Sequence, residues 1–329
     1  MLNPVHLRTL AVVVRTGSFA NAARQIGYTG SAVSQQVAAL EQSLQLELFE
    51  RDAHSIRPTP TATFLAERAH DILAALGALE DDVRGLNSGT LGQLRVGGFA
   101  TANELLVPRS LAGYLRTHPR MDISVDDGEP EDLIMKLSDA ALDIAVVYEF
   151  HLVPQRWPAR VTVTHLLDED LHLLVPRSHP LLHANAVDIE DLSDETWVST
   201  KEGTAADTCL ARLCAAAGFD PLIAMRGAHC DSVRGLVHAG LGIALVPAMS
   251  VLPTDHVVPL TTPNRTALRR VVALHHAGQQ NSRASDAVSS LKRVANKLAE
   301  ELPGVSTAAR PPRPLTAVED LASLMAVAS

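Results

Sequence analysis

Cysteine, aromatic residues and positive charge are all scarce in this chain. Three cysteines in 329 residues, an odd number, exclude a disulfide framework. No run of eighteen apolar residues occurs, so no transmembrane helix is expected. The apolar start, Met1 to Arg15, is interrupted by Arg8. It lacks a basic lead and a small-residue cleavage site, so a secretory leader is not expected either. A cytoplasmic protein without a membrane partner is the simplest expectation. The net charge of −9 argues against a protein that coats nucleic acid by electrostatics alone. Phosphate-cradling and nucleophile-elbow motifs are missing, and Gly240-Leu241-Gly242 precedes a strand, the wrong context for a dinucleotide site. His229-Cys230-Asp231 with His238 is supported by no metal-ligand spacing, and His275-His276 reads as packing or surface. No cofactor, metal or catalytic group is therefore expected.

What is present is an apolar-rich chain, 47% hydrophobic, long enough for two or three domains. Residues 1–60 carry Arg8, Arg15, Arg24, Arg51 and Arg57 against Glu41, Glu47, Glu50 and Asp52, a net charge of +1. That segment is the only plausible seat for DNA, and its affinity must rest on geometry and dimerisation. Pro4 to Arg15 reads as a helix, with Leu7, Leu10, Val13 and Val14 on one face. Ser18 caps a second helix, Phe19 to Ile26. Gly27 suits a tight turn, and Thr29-Gly30-Ser31 leads into a third helix, Ala32 to about Leu44. Leu46 to Phe49 and Ser55 to Pro58 are expected to form a wing. A long helix then starts at Thr59-Pro60-Thr61 and runs to about Val83, where Gly85 to Thr90 is expected to break it.

Beyond residue 90 strands and helices alternate: Leu94 to Val96, Glu104 to Arg116, Met121 to Val125, Glu129 to Ser138, Asp143 to Tyr148. A second set follows: His165 to Pro176, Thr196 to Ser199, Ala205 to Ala217, Asp231 to Ala239, Ile243 to Val246, Arg270 to His275 and Ser285 to Leu302. Such alternation predicts βαβ units in two similar α/β lobes with a mostly parallel sheet. The proline-rich segment from Pro303 to Pro314 is expected to be a flexible tail, with a short amphipathic helix over Leu315 to Val327.

Ala23, Gly27 and Val33 carry the helix-turn-helix reading. A small residue lets two helices cross, glycine opens the turn, and valine plugs the seam. The third helix would then present Ser31, Ser34 and Gln35 to base edges, with Thr29 also at the DNA, since glutamine pairs bidentately with adenine and serine with several bases. Arg51 and Arg57 flank the wing and suit phosphates or the minor groove.

The same residues resemble the LysR-type transcriptional regulators. The likeness runs through Leu7-Arg8-Thr9-Leu10, Gly17 to Ala23, Ser31 to Glu41 and Leu48-Phe49-Glu50-Arg51. It continues more loosely through Asp143 to Val147 and Gly240 to Pro247 to about Leu302. The resemblance implies a winged helix-turn-helix over residues 1–59 and a linker helix over 60–89 that pairs two subunits antiparallel. A two-lobed periplasmic-binding-protein-like α/β domain would follow over 90–302, with lobe 1 about 90–162 and 269–302 and lobe 2 about 163–268. Residues 303–329 form the tail. It also implies a tetramer and a small-molecule effector between the lobes, with RNA polymerase as a possible partner. Three positions depart from the family pattern: Gly30 where glutamine is common, Gln35 where a basic residue often follows the serine, and Thr63 where glutamate caps the linker helix.

By this resemblance the loop Phe99 to Asn103 lines the cleft, with Phe99, Thr101 and Ala102, joined by Tyr148 from the first lobe and Ser199, Thr200 and Ser232 from the second. Ligands commonly sit at the carboxyl ends of parallel strands and at helix N-termini. Asp231-Ser232 is expected to cap its helix, and Glu149, Asp168, Glu169 and Asp170 to be solvated acids. Cys209 and Cys214, on different faces of one helix, read as buried inert thiols. The expectation is an effector-responsive DNA-binding regulator and not an enzyme. The rival readings are an α/β solute-binding protein and an enzyme with an accessory DNA-binding domain.

Overall fold

The computed structural model describes residues 2–52, 55–88, 92–158, 161–262, 267–276 and 282–308. His54 in the wing turn, Gly89-Thr90 and the helix expected over Leu315 to Val327 lie outside the described residues.

Three short helices open the chain. α1 (Pro4–Thr16) starts on Asn3, whose side chain accepts from the Val5 amide, and stops at left-handed Gly17. α2 (Phe19–Ile26) is capped by Ser18 and closed by Gly27 at φ +71°. α3 (Gly30–Leu44) begins two residues earlier than expected, because the Thr29 hydroxyl accepts from the Ala32 amide at 3.2 Å and draws Gly30 and Ser31 into the first turn. Ala23 and Val33 are buried where the helices cross, with Leu7, Leu10, Val37 and Leu40.

The wing strands are β1 (Phe49–Asp52) and β2 (Ser55–Pro58), antiparallel with Glu50 opposite Arg57. The first strand starts later than expected because Glu41 intervenes. Its carboxylate accepts from the amides of Leu48 and Phe49 at 2.8 and 3.3 Å, which the chain would otherwise offer to a strand partner.

α4 (Pro60–Ser88) is a single helix of 29 residues, about 43 Å long. It passes through Gly85, so the expected break there is not observed. One glycine costs a helix only about 1 kcal/mol relative to alanine, and no proline follows to stop it. Ala62, Ala66 and Ala69 pack against α1, while Phe64, Ile72, Leu76, Leu79 and Val83 are exposed.

The remaining chain supplies β3 (Gln93–Gly98), α5 (Val107–Thr117), β4 (Asp122–Asp127), α6 (Pro130–Ser138), β5 (Ile144–Phe150), β6 (Val161–Leu174), β7 (Val187–Asp188), β8 (Thr196–Thr200) and α7 (Ala205–Ala216). It continues with β9 (Leu222–Gly227), α8 (Cys230–His238), β10 (Ala244–Pro247), β11 (Val257–Thr261), β12 (Leu268–His276), α9 (Ser282–Glu301) and β13 (Val305–Ser306). The main sheet has the order β4-β3-β5-β12-β6-β11-β7, with β10 and β13 also on β6, and β8-β9 form a separate parallel pair. It is mixed and not mostly parallel. β3 lies parallel to β4 and β5, but β12 returns antiparallel to β5 and β6, and β6 is antiparallel to β10, β11 and β13. Alternating hydrophobicity reports burial and not strand direction, which is why the sequence hid this.

One apolar core gathers β3, β5 and α9 around Leu94, Val96, Ile144, Val146, Leu291 and Leu298. Another gathers the second half of β6 with β8 and α7 around Leu173, Trp197, Leu213 and Ile243. β6 runs unbroken from β12 to the strands of the second core. The tail is tied down at its start. Gly304, at φ +83°, turns the chain so that Val305 and Ser306 pair with Glu169 and Asp168.

Gly27 has open space where a Cβ would lie, so only its backbone angle opposes a side chain. Gly27→Ala is expected to lower the stability of the full chain by about 1–2 kcal/mol in urea unfolding. Gly30→Ala, equally open but helical, is expected to be neutral or slightly stabilising.

Candidate DNA-reading face and effector cleft

α3 is fixed on one side and open on the other. Val33, Val37 and Leu40 anchor it in the core, and the Thr9 hydroxyl donates to Gln36 from α1, which turns that glutamine inward. Ser31 and Gln35 are exposed and Ser34 is half-buried. The Thr29 and Ser31 hydroxyls lie 3.0 Å apart, so the cap and the first polar residue form one cluster at the helix N-terminus. α3 carries no lysine or arginine. Arg57 is exposed on β2, and Arg51 stands opposite Ile56 on β1. Tyr28 is also exposed, directly before the cap. The sequence reading passed over it, although a tyrosine in a polar turn was a visible signal.

Among the cleft candidates, Phe99, Thr101 and Tyr148 come together, and what joins them is Arg269. Its guanidinium lies 4.8 Å from the Phe99 ring centre and 5.0 Å from that of Tyr148. It donates to the Thr101 hydroxyl at 3.0 Å and to Glu169 at 2.6 Å. The second Glu169 oxygen accepts from the Met249 amide at 2.9 Å. Tyr148 in turn donates to Glu129 at 2.7 Å. Burial, and the Glu129 charge beside it, push the phenol pKa up, which keeps the proton on the tyrosine as donor.

The expectation of solvated acids is corrected here. Asp168 and Glu169 are completely buried, and each faces an arginine across the β6-β12 ladder. Arg270 grips Asp168 at 2.9 and 3.1 Å, and His165 lies 2.9 Å from the same carboxylate. Successive residues of a strand point to opposite faces, so the two ion pairs occupy opposite sides of the sheet. The signal lay in the sequence. Asp168-Glu169-Asp170 and Arg269-Arg270 each interrupt an apolar strand, and paired charges are what a buried strand tolerates.

The other candidates have local partners. Ala102 is fully buried in the first core. Ser199 is buried and donates to Asp207 at 2.9 Å. Asp207 also accepts from the Gly203 amide at 3.1 Å and from Arg226. Thr200 and Thr204 hydroxyls lie 2.7 Å apart. Ser232 is the third residue of α8 and contributes to its cap as the inner member of a capping box. His229 holds the cap position, and the serine hydroxyl accepts from its amide at 3.0 Å. Beside these residues Lys201, Glu202, Arg226, Gly227 and Ala228 line an open depression of about 640 Å³.

The model of the bacterial regulatory helix-turn-helix proteins of the lysR family matches residues 4–63, and that of the LysR substrate binding domain matches residues 87–295. The chain belongs to the LysR family. It is a DNA-binding transcription regulator with an effector-binding domain, which sets aside the solute-carrier and enzyme readings. LysR relatives include the transcriptional dual regulator GltC of Bacillus subtilis, 27% identical over 68% of this chain and 73% of the relative. The RuBisCO operon regulator of Allochromatium vinosum is 26% identical over 85% and 92%. A probable hydrogen peroxide-inducible genes activator of Streptomyces viridosporus is 30% identical over 74% and 77%. In fold the regulator is similar to a full-length OxyR variant from Pseudomonas aeruginosa, with a TM-score of 0.56 and 22% identity over 90% of this chain and 95% of that one. It is also similar to full-length CbnR bound to its target DNA, with a TM-score of 0.53 and 21% identity over 89% and 100%.

No helix among the described residues is long and apolar enough to cross a membrane, and no group of three or more His, Cys, Asp or Glu among them is placed to hold a metal. Cys209 and Cys214 are buried, and burial pushes both thiols up to about 12. Burial also raises half-buried Cys230. The thiolate is the nucleophile, so iodoacetamide at pH 8 is expected to leave Cys209 and Cys214 of the native regulator unmodified by mass spectrometry and to label them after unfolding in urea. Rapid labelling of either in the native chain would contradict this.

Proposed function

We propose that the regulator reads operator DNA with the first half of α3 and senses a small molecule in the cleft beside Arg269. The observation that carries the DNA reading is the pair of exposed residues Ser31 and Gln35, with half-buried Ser34 beside them, on a helix whose opposite face is locked in the core. Ser31, Ser34 and Gln35 contact base edges, while Thr29, Arg51 and Arg57 contact phosphates or the minor groove. Gly30 presents bare backbone at the helix N-terminus, where unpaired amides favour a phosphate. With so few cations, a single unit binds weakly, and a pair of half-sites supplies the rest.

The exposed stripe Phe64, Ile72, Leu76, Leu79 and Val83 on α4 repeats at helical spacing. It supports pairing of two chains through this helix, antiparallel as in the family, and a tetramer of two such pairs. Residues 1–59 then form the reading unit, 60–89 the pairing helix and 90–302 the sensor. The effector meets Phe99, Thr101 and Tyr148 from one lobe and the rim of Ser199, Thr200 and Ser232 from the other. Work in the cytoplasm and contact with RNA polymerase follow from a promoter-bound role.

Three measurements test the reading. Ser34→Ala with Gln35→Ala is expected to weaken specific binding to the DNA upstream of its own gene about ten- to hundred-fold in a gel shift, with non-specific binding unchanged. Equal affinity of variant and parent would remove α3 as the reader. Leu79→Asp is expected to shift the full chain toward monomer in sedimentation, and an unchanged mass would remove α4 as the pairing helix. A metabolite screen by melting temperature, run on the parent and on Tyr148→Phe, tests the cleft.

A further inference from the structure

The helix that begins at the cleft ends on the DNA-reading unit. Glu129 immediately precedes α6, and its carboxylate accepts the Tyr148 hydroxyl at 2.7 Å. Asp139 immediately follows α6, and both of its oxygens accept from Arg15 in the last turn of α1, at 3.0 and 2.9 Å. Gln25 of α2 joins this contact. Its amide oxygen, in the orientation its neighbours favour, accepts from Arg15 at 3.2 Å, and the same amide lies against the sulfur of Met135 on α6.

Between its two ends α6 is short and stiff. Its nine residues span about 14 Å. Leu133 and Leu137 are fully buried against Ala145, Val147, Val272 and Leu274, so the helix moves with the sheet beneath it. Lys136 pairs with Asp126 at 2.8 Å and ties the flank of α6 to the end of β4. The Arg15-Asp139 pair is of another kind. Its side chains keep 30% and 21% of their surface in solvent, so it is a contact that makes and breaks without unfolding anything.

We propose that α6 couples the cleft to the reading unit, with the Arg15-Asp139 pair as the contact that is made or released. This rests on the cleft reading given above. A ligand that takes the Tyr148 hydroxyl, or displaces Glu129 from it, acts on the first turn of α6. A stiff helix carries that displacement to Asp139, where it alters how the reading unit is held. Arg15, Gln25, Glu129 and Asp139 are positioning residues and touch neither DNA nor effector in this scheme.

The test is hydrogen exchange by mass spectrometry on the full chain without ligand, so its outcome is independent of whether the cleft reading holds. Asp139→Arg is expected to speed exchange in the last turn of α1 by about three-fold or more. Arg15→Asp combined with Asp139→Arg, which restores an ion pair of reversed sense, is expected to return it to the parent rate. Tyr148→Phe, which deletes only the hydroxyl at the other end of α6, is expected to reproduce the increase with the melting temperature unchanged. Failure of the reversed pair to restore the rate would show that the contact does not hold the reading unit. Parent-like exchange at α1 in Tyr148→Phe would show that α6 does not transmit, and either result overturns the proposal.

Discussion

A charged arginine that keeps only 5% of its side-chain surface in solvent has to be compensated within the fold, and around Arg269 several elements contribute to that compensation. Glu169 supplies the opposite charge, Thr101 an acceptor, and Phe99 and Tyr148 the faces of their rings. Glu169 is itself held by the Met249 amide. Removing two charges from water costs several kcal/mol per ion, and only well-placed hydrogen bonds offset it. The positions of the β3 loop, the end of β5, the middle of β6 and the start of β12 are therefore interdependent, since a shift in any of them would strip a partner from a buried ion. The place where this happens is also where the two cores meet.

The N-terminal unit solves the opposite problem. Its charge is nearly balanced, so little electrostatic pull is available and the work falls on shape. Caps at Asn3, Ser18 and Thr29 and left-handed turns at Gly17 and Gly27 define where each helix starts and stops. Glu41 reaches across to the wing, where its carboxylate accepts from the backbone amides of Leu48 and Phe49. α3, which carries no basic residue, offers hydroxyl and amide groups instead, and such groups discriminate by geometry more than by attraction.

Much of this was legible in the chain. The helix-turn-helix was written in local chemistry: Ala23, Gly27 and Val33 each act on near neighbours, and the capping residues act on the next turn. Phe99, Thr101 and Tyr148, which the family resemblance singles out, do gather around one arginine. Arg269 and Glu169 were missed because they are 100 residues apart and meaningful only once β12 lies against β6. Strand direction was missed for the same reason. Ser199 looked available in the sequence, since Asp207 reaches its hydroxyl only once α7 packs on β8, whereas the capping role expected of Ser232 is met by its contact with the His229 amide.

β6 passes through both cores as one continuous strand of fourteen residues. Two bodies joined by a flexible loop swing about a pivot, and the loop stores almost no energy. Two bodies that share a hydrogen-bonded strand behave as the ends of a leaf spring. Bending is spread over many residues, the restoring force rises with displacement, and amplitude is small. Such a sensor is suited to reporting a ligand as stress and not as travel. Any large rearrangement on DNA would then have to arise in the assembly, where a packed interface with two alternative arrangements turns a small strain into a discrete change.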